Sequence, residues 1–121
     1  MTELIRAAAQ REAEQFAAKM KAHSLEIAVD VWLKRVAGHA LTATQRSRLI
    51  KAVGRGKAPE TKDIQLAHAA LLRLTGLGYQ EAAAAAVEAG ATYTEVAAVL
   101  RISQQAASKQ IAAHRRAAQP N

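Results

Sequence analysis

The first 37 residues contain neither proline nor glycine, and this run constrains the fold more than any other feature of the chain. Thr2 can cap a helix here, and Glu3 suits the positive end of the helix dipole. Apolar residues follow helical spacing along one stripe, which consists of Ile5, Ala9, Ala13, Phe16, Met20, Ile27 and Val31. The regularity falters at His23, and Ser24 can cap a fresh helix. The segment therefore predicts either one very long helix or two abutting helices.

The stripe needs a second surface, because a helix cannot bury its own apolar face. It predicts either a dimerisation arm that joins two copies of the chain or a core helix of a compact bundle. About a quarter of the residues are alanine, and only 3% are aromatic. Alanine forms helices well but fills a core weakly, so a second subunit is expected to add stability.

Glycine, proline and capping residues divide the rest of the chain into shorter helices. Gly38 ends the first element, and Thr42 with Gln45 forms a capping box for a helix that stops at Gly54. Pro59 suits the first turn of the next helix. That helix is expected to bury one stripe, namely Ile64, Ala67, Leu71 and Leu74. No alternation of apolar and polar residues predicts a strand, so the expected fold is all-α, a helical bundle with a C-terminal trihelical unit.

The positive charge is concentrated in one segment. The formal net charge is +7 with a pI near 10.3, which favours an anionic partner. Residues 34–58 hold seven bases and no acid. Within this segment Arg48, Lys51 and Arg55 lie along one face of the predicted helix, and Lys57 follows in a glycine-containing loop. These four side chains are candidates for contacts with phosphate groups.

The stretch from residue 92 to residue 111 predicts two short helices joined by a tight turn. A capping box of Thr92 and Glu95 fixes the start of the first helix, which is expected to end near Leu100. Ser103 caps the second helix, and only two residues stand between. This short connection forces the helices to cross steeply. Their expected small core consists of Val96, Leu100, Ile102, Ala107 and Ile111.

These residues resemble the helix-turn-helix family of DNA-binding proteins, in the trihelical forms of bacterial regulators, resolvase-type recombinases and sigma-factor region four. The resemblance covers residues 79–115. Ala97 occupies the small-residue position of the family's first helix, Ile102 the apolar turn position and Ser103 the cap of the recognition helix. Arg101 departs from the pattern, since the family most often has a left-handed glycine there. A side chain in that conformation costs on the order of 1 kcal/mol.

The resemblance implies how the second helix contacts DNA. The residues that match Gln104, Gln105, Ser108 and Lys109 commonly face the major groove in the family. Glutamine can pair bidentately with adenine, and lysine or serine can reach guanine or a phosphate. Backbone contacts are expected from the turn, the C-terminal bases and the upstream basic segment, namely Thr94, Arg101, Ser103, Arg115, Arg116, Arg48, Lys51, Arg55 and Lys57.

The predicted function is sequence-specific binding of double-stranded DNA. One motif reads too few base pairs for genomic selectivity, so a homodimer joined through the N-terminal helix is expected on a pseudo-palindromic operator. A bacterial-type transcriptional repressor is the first choice, and a plasmid or phage protein for partition, transfer or replication control is the alternative. The alternative from another functional class is a helical protein-interaction module, such as an assembly or anti-activator factor. Binding to structured RNA is also left open.

Other function classes have no support in the sequence. No Ser/His/Asp order, phosphate loop or metal-ligand spacing stands out, so neither an enzyme nor a metal or cofactor is expected. No effector pocket is recognisable, so no small-molecule ligand is expected. The chain has no cysteine and no apolar run of the roughly 18 residues that a membrane span needs. The expected location is the cytoplasm, and the nucleoid when the protein is bound to DNA.

Three regions are expected along the chain. Residues 1–57 form an N-terminal helical region that combines the arm with the basic helix. Residues 58–116 form a helical domain that contains the helix-turn-helix. Fraying is expected after Ala113, and residues 117–121 form the tail.

Overall fold

The computed structural model describes residues 1–119, and within this range the chain forms helices and no strand. The helices are α1 (Thr2–Trp32), a π-helical turn (Leu33–Ala37), α2 (Ala43–Gly54), α3 (Thr61–Leu74), α4 (Gln80–Glu88), α5 (Tyr93–Leu100) and α6 (Gln104–Ala118). The all-α prediction is confirmed for these residues. Pro120 and Asn121, which belong to the predicted tail, lie outside the described residues.

Helix α3 lies at the centre of the fold. It packs against α1 and α2 on one side and against α4 and α5 on the other, while α6 packs on α4 and α5. Two apolar clusters result, one around Val29, Val53 and Ile64 and one around Val96 and Ile111. Because α3 contributes to both clusters, it joins the N-terminal and C-terminal helices. The boundary at residues 57 and 58 remains a prediction.

Helix α1 is one continuous helix of 31 residues, so the alternative of two abutting helices is wrong. Ser24 does not start a new helix, because its hydroxyl lies 2.8 Å from the carbonyl oxygen of Lys21, one turn back in α1. Thr2 is the first helical residue and makes no cap, since the N-cap position belongs to Met1. Gly38 ends the π-helical turn as predicted, in the left-handed conformation at φ 71°.

The predicted apolar stripe of α1 faces outward. Phe16 is 66% exposed, Ile27 is 40% exposed, and every residue before Ser24 is exposed. The helix docks through its other side instead, with side chains that pack near α2 and α3, namely Leu25, Val29, Trp32 and Leu33. The prediction that the stripe lies in the core of a compact bundle is therefore wrong. Spacing alone did not separate the two apolar sides of the helix.

Helix α2 has the predicted capping box. The Gln45 amide donates to the Thr42 hydroxyl over 3.2 Å, and the Gln45 side chain accepts from the Thr42 amide over 3.0 Å. Val53 is buried on the inner side. Arg46 donates to both carboxylate oxygens of Asp30 over 2.6 and 2.9 Å, which ties α2 to α1. This hydrogen bonding lowers the pKa of Asp30 below its ordinary value.

Helix α3 differs from its prediction at both ends. It begins at Thr61 rather than at Pro59, because the buried Thr61 hydroxyl closes a turn by donating to the Ala58 carbonyl over 2.7 Å. Leu74 is 85% exposed, so its predicted place in the buried stripe is wrong. It ends the helix within the exposed run 73–78, beyond the part that four neighbouring helices cover. Those neighbours also bury polar residues of α3, including His68.

The C-terminal helices pack closely because the residues between them are small. Four alanines of α4 are buried, namely Ala82, Ala83, Ala84 and Ala86, and they let α3 approach. The expected core of α5 and α6 is buried at Val96, Leu100, Ala107 and Ile111, with Ile102 packed against it. Helix α6 continues to Ala118, so the prediction of fraying after Ala113 is wrong up to that residue. Alanine favours the extension, and Arg115 and Arg116 complement the C-terminal end of the helix dipole.

Candidate nucleic-acid interface

The connection between α5 and α6 is fixed by two local devices. Arg101 adopts the left-handed conformation at φ 59° and ψ 45°, and within residues 1–119 it is the one non-glycine residue with positive φ. The Ile102 amide then donates to the Ala97 carbonyl over 3.1 Å, which closes the end of α5. Ser103 is extended, and its hydroxyl accepts from the Ala106 amide over 3.0 Å. The chain therefore reverses into α6 within three residues.

The start of α5 is equally well defined. The Glu95 amide donates to the Thr92 hydroxyl, and the Glu95 carboxylate accepts from the Thr92 amide, both over 3.0 Å. Lys62 of α3 forms a salt bridge with the same carboxylate over 3.0 Å. The hydrogen bond from the Thr92 backbone and that from Lys62 lower the pKa of Glu95. The one acid after residue 92 is thus engaged with α3 and with its own helix start.

Two further contacts hold the α5–α6 pair on the rest of the fold. Arg73 of α3 donates from Nε to the Leu100 carbonyl at the end of α5, and its guanidinium lies 5.7 Å from the centre of the Tyr79 ring. The Tyr79 hydroxyl donates to the Gln110 side chain on α6. These residues were not predicted as part of the site. Their partners lie 27 and 31 residues away, and no local pattern signals such pairings.

The exposed side of α6 carries a polar and basic row. Gln105, Lys109 and Arg116 are exposed at positions i, i+4 and i+11, which lie on one helix face. Ala107 and Ile111 are buried on the other side. The geometry therefore turns amide and basic groups outward and small apolar groups inward.

The other two predicted base-reading residues lie at the edge of this row. Gln104 is exposed, but its side-chain oxygen lies 3.4 Å from the Thr94 hydroxyl of α5, at the long end of hydrogen bonding. Ser108 is half-buried. Gln105 and Lys109 are consequently the freest of the four for an outside partner.

The predicted backbone-contact residues fall into two groups. Thr94, Arg101, Ser103 and Arg116 are exposed, Arg115 is half-buried, and all five belong to the α5–α6 pair. Arg48, Lys51, Arg55 and Lys57 are exposed on α2 and the loop after it, and within residues 1–119 they form no salt bridge. Among the described residues α2 packs on α1 and α3 and makes no contact with α5 or α6. The fold thus brings the first group together on α5 and α6 and places the second on α2 and its loop.

A polar cluster joins α1 to α3 through the buried His68 and Gln65, and no sequence pattern indicated it. Ser24 Oγ lies 2.8 Å from His68 Nε2, and His68 Nδ1 lies 3.1 Å from Gln65 Oε1. Burial and the nearby Lys21 charge lower the pKa of His68, against the opposing effect of Glu81. The three residues line a groove of about 750 Å³ between α1 and the α3–α4 pair.

The cluster has a serine and a base at hydrogen-bonding distance, yet it lacks other parts of an acyl-transfer site. Such a site needs donors aimed at an oxyanion. Ser24 lies inside α1, where backbone N–H groups are paired with carbonyl groups one turn back. The contacts of Ser24, His68 and Gln65 are therefore best described as a clamp between two helices, the α1–α3 clamp.

The described residues hold no cluster of three His, Asp or Glu side chains arranged for a metal ion. No helix among them is long and apolar enough to cross a membrane. The chain matches no protein-family model, no curated protein and no solved structure.

Proposed function

We propose that this protein binds double-stranded DNA in a sequence-specific manner, with α6 as the recognition helix of a helix-turn-helix unit. The observation that carries the proposal is the exposed row of Gln105, Lys109 and Arg116, on a helix whose start is fixed by a left-handed turn and a serine cap. An α-helix fits the major groove, and such a row presents amide and cationic groups to base edges and phosphates. Helix α6 carries no acidic residue that would repel DNA, and the nearby Glu95 of α5 is paired with Lys62.

Three groups of polar residues have different roles in this proposal. Gln105 pairs with adenine and Lys109 reaches guanine or a phosphate, while Gln104 and Ser108 contact bases at the edge of the footprint. Thr94, Arg101, Ser103, Arg115 and Arg116 bind phosphates beside the recognition helix. Arg48, Lys51, Arg55 and Lys57 bind phosphates further along the duplex, because α2 packs away from α6.

The biological role proposed is that of a transcriptional repressor, which binds a pseudo-palindromic operator as a homodimer through α1. A single recognition helix reads only a few base pairs, and two copies double the site. The exposed stripe of α1 supports a second subunit. A partition, transfer or replication-control protein would use the same interface, so that role is the alternative.

The exposed apolar stripe of α1 also supports a second candidate function, from another functional class. A helical protein-interaction module would use the same exposed apolar residues to bind a different protein. In that case the row on α6 would be an ordinary solvated surface. The two candidates differ in one measurable property, which is affinity for duplex DNA.

The test is selection from a pool of random duplexes, followed by fluorescence anisotropy over a salt series. We expect an enriched duplex sequence, and affinity that falls steeply with salt because phosphate contacts release counterions. Single-stranded DNA and a structured RNA serve as competitors. Absence of duplex binding at low salt would overturn the proposal and favour the interaction module. Tighter binding to the RNA than to duplex DNA would show that the ligand is RNA.

A further inference from the structure

We propose that two copies of the chain pair antiparallel along α1, so that the N-terminal half of each helix covers the outer face of the partner's C-terminal half. The inference rests on the homodimer of the proposed function and adds its geometry. It concerns the α1 stripe, defined as Ile5, Ala9, Ala13, Phe16, Met20, Ile27 and Val31. The partner is a second copy of this chain.

The first half of α1 lacks cover from its own subunit. Every residue before Ser24 is exposed, and the buried residues of α1 are Ala28 and Val29. The whole helix is roughly 46 Å long at 1.5 Å per residue. Most of the stability of a helix in a protein comes from packing of its apolar face rather than from intrinsic propensity. The free half therefore needs a surface that the monomer does not supply.

The α1 stripe runs from this free half onto the body of the protein without changing face. Ile5 and Phe16 of the free half are 62% and 66% exposed. Further along, Met20, Ile27 and Val31 are 44%, 40% and 39% exposed, and Met20 also lines the groove between α1 and the α3–α4 pair. The two halves thus present similar apolar surfaces of similar length. This is the arrangement that an isologous contact between identical surfaces needs.

The spacing of the stripe is self-complementary in the antiparallel direction. Ile5, Phe16 and Ile27 are separated by 11 residues, as are Ala9, Met20 and Val31. An 11-residue repeat corresponds to about 3.67 residues per turn and keeps the stripe nearly straight along the helix.

When two copies are aligned about residue 18, six of the seven stripe residues meet an apolar residue of the partner, while Ala13 meets the partner's His23. Ile5 then faces the partner's Val31, Ala9 faces the partner's Ile27, and Phe16 faces the partner's Met20. In a parallel pair each stripe residue would instead meet its own counterpart. The two N-terminal halves of α1 would then pair with each other, and so would the two C-terminal halves.

The stripe is large enough for a stable contact. Five large apolar side chains from each copy take part, and Phe16 alone can bury roughly 150–250 Å². If each of the ten buried only about 100 Å², the interface would reach the roughly 1,000 Å² expected of a biological contact. Because the pairing is antiparallel, with its two-fold axis perpendicular to the helices, it would place the two C-terminal units at opposite ends of the α1 pair.

The oligomeric state of the full chain without DNA is the first test. Sedimentation equilibrium is expected to give a dimer, and Phe16→Glu is expected to raise the dissociation constant on the order of a hundredfold or more, since it buries a charge. Leu74→Glu is the matched control, because Leu74 is apolar and 85% exposed but lies outside the stripe. A monomeric wild-type chain, or equal effects of the two substitutions, would overturn the proposal.

Disulfide trapping tests the direction, because the chain has no cysteine of its own. Ile5→Cys mixed with Val31→Cys is expected to cross-link, whereas each variant alone is not, since like residues lie roughly 39 Å apart at 1.5 Å per residue. Cross-linking of each variant with itself would show a parallel pair and overturn the proposal. A chain that forms the dimer but does not bind DNA would refute the proposed function and leave the pairing intact. A chain that binds DNA as a monomer would refute the pairing and leave DNA binding intact.

Discussion

At the scale of single residues, Arg101 combines a backbone cost with a useful charge. Its left-handed conformation lets the chain turn from α5 into α6, and glycine adopts that conformation without a steric penalty. We expect Arg101→Gly to raise the free energy of unfolding by about 1 kcal/mol. The same substitution should weaken DNA binding, because one phosphate contact is lost. Urea unfolding and anisotropy measure the two effects.

The control for this prediction is Arg101→Ala, which removes the charge and keeps a side chain in the left-handed region. DNA affinity should fall in both variants, while stability should rise only in the glycine variant. Equal stability of the two would contradict the strain at residue 101. Unchanged DNA affinity in both would remove Arg101 from the interface.

Gln105 is the residue from which we expect base recognition. It is exposed at the centre of the α6 row, whereas Gln104 lies close to the Thr94 hydroxyl. Gln105→Ala should weaken binding to the selected duplex by roughly 1–3 kcal/mol and leave binding to random duplex nearly unchanged. The matched control is Gln10→Ala, an exposed glutamine on α1. An equal loss on both duplexes would mean that Gln105 does not read bases.

At the scale of the elements, the capping boxes were predicted correctly, the helix starts expected at Thr2, Ser24 and Pro59 were wrong, and long-range contacts had no signal in the sequence. The capping boxes of α2 and α5 and the Ser103 cap involve residues three apart, so their chemistry is visible in the sequence. The α1–α3 clamp joins residues 44 apart, and the Arg73 contact spans 27 residues. Packing selects such partners, and no spacing rule predicts them.

The two faces of α1 illustrate the same limit. The spacing predicted a helix with an apolar stripe, and the helix is present. The body, however, packs against the side that carries Leu25 and Val29, because α2 and α3 supply apolar partners there. Sequence periodicity identifies an apolar face, but the choice between two such faces depends on which partner surface lies nearby.

The α1–α3 clamp predicts a pH dependence of stability. Burial lowers the pKa of His68, so the unfolded chain binds the proton more readily than the folded one. Stability should therefore be full above the ordinary histidine pKa of about 6.5 and should fall as the pH drops below it. Urea unfolding between about pH 7.5 and 5.5 measures this loss, above the range in which carboxylates titrate.

Two variants separate the clamp from the other histidines. His68→Leu should lower stability at pH 7.5, because it leaves the buried Gln65 side chain without this partner, but should flatten the pH profile. His39→Gln, at an exposed histidine, should leave the profile as it is in the wild-type chain. A profile that is unchanged in His68→Leu would show that another group titrates.

At the scale of the whole molecule, two positive regions stand on different helices of one fold. Residues 34–58 carry seven bases and no acid, a charge equal to the formal net charge of +7, and α2 makes no contact with the α5–α6 pair within the described residues. In the proposed complex, a duplex on the α6 surface therefore meets α2 at phosphates some distance along its length. Such contacts raise affinity without regard to base sequence.

Substitution of Lys51 tests whether α2 contributes to DNA affinity without contributing to sequence preference. Lys51 is exposed on α2 and forms no salt bridge within residues 1–119, so its charge is free for a phosphate. Lys51→Ala should weaken binding to selected and random duplexes alike and reduce the slope of log affinity against log salt by about 1. The control is Lys19→Ala, an exposed lysine in the charge-balanced first third of the chain. If Lys51→Ala left the slope unchanged, the basic segment would not lie on DNA, and the α5–α6 pair would have to supply the whole electrostatic contact.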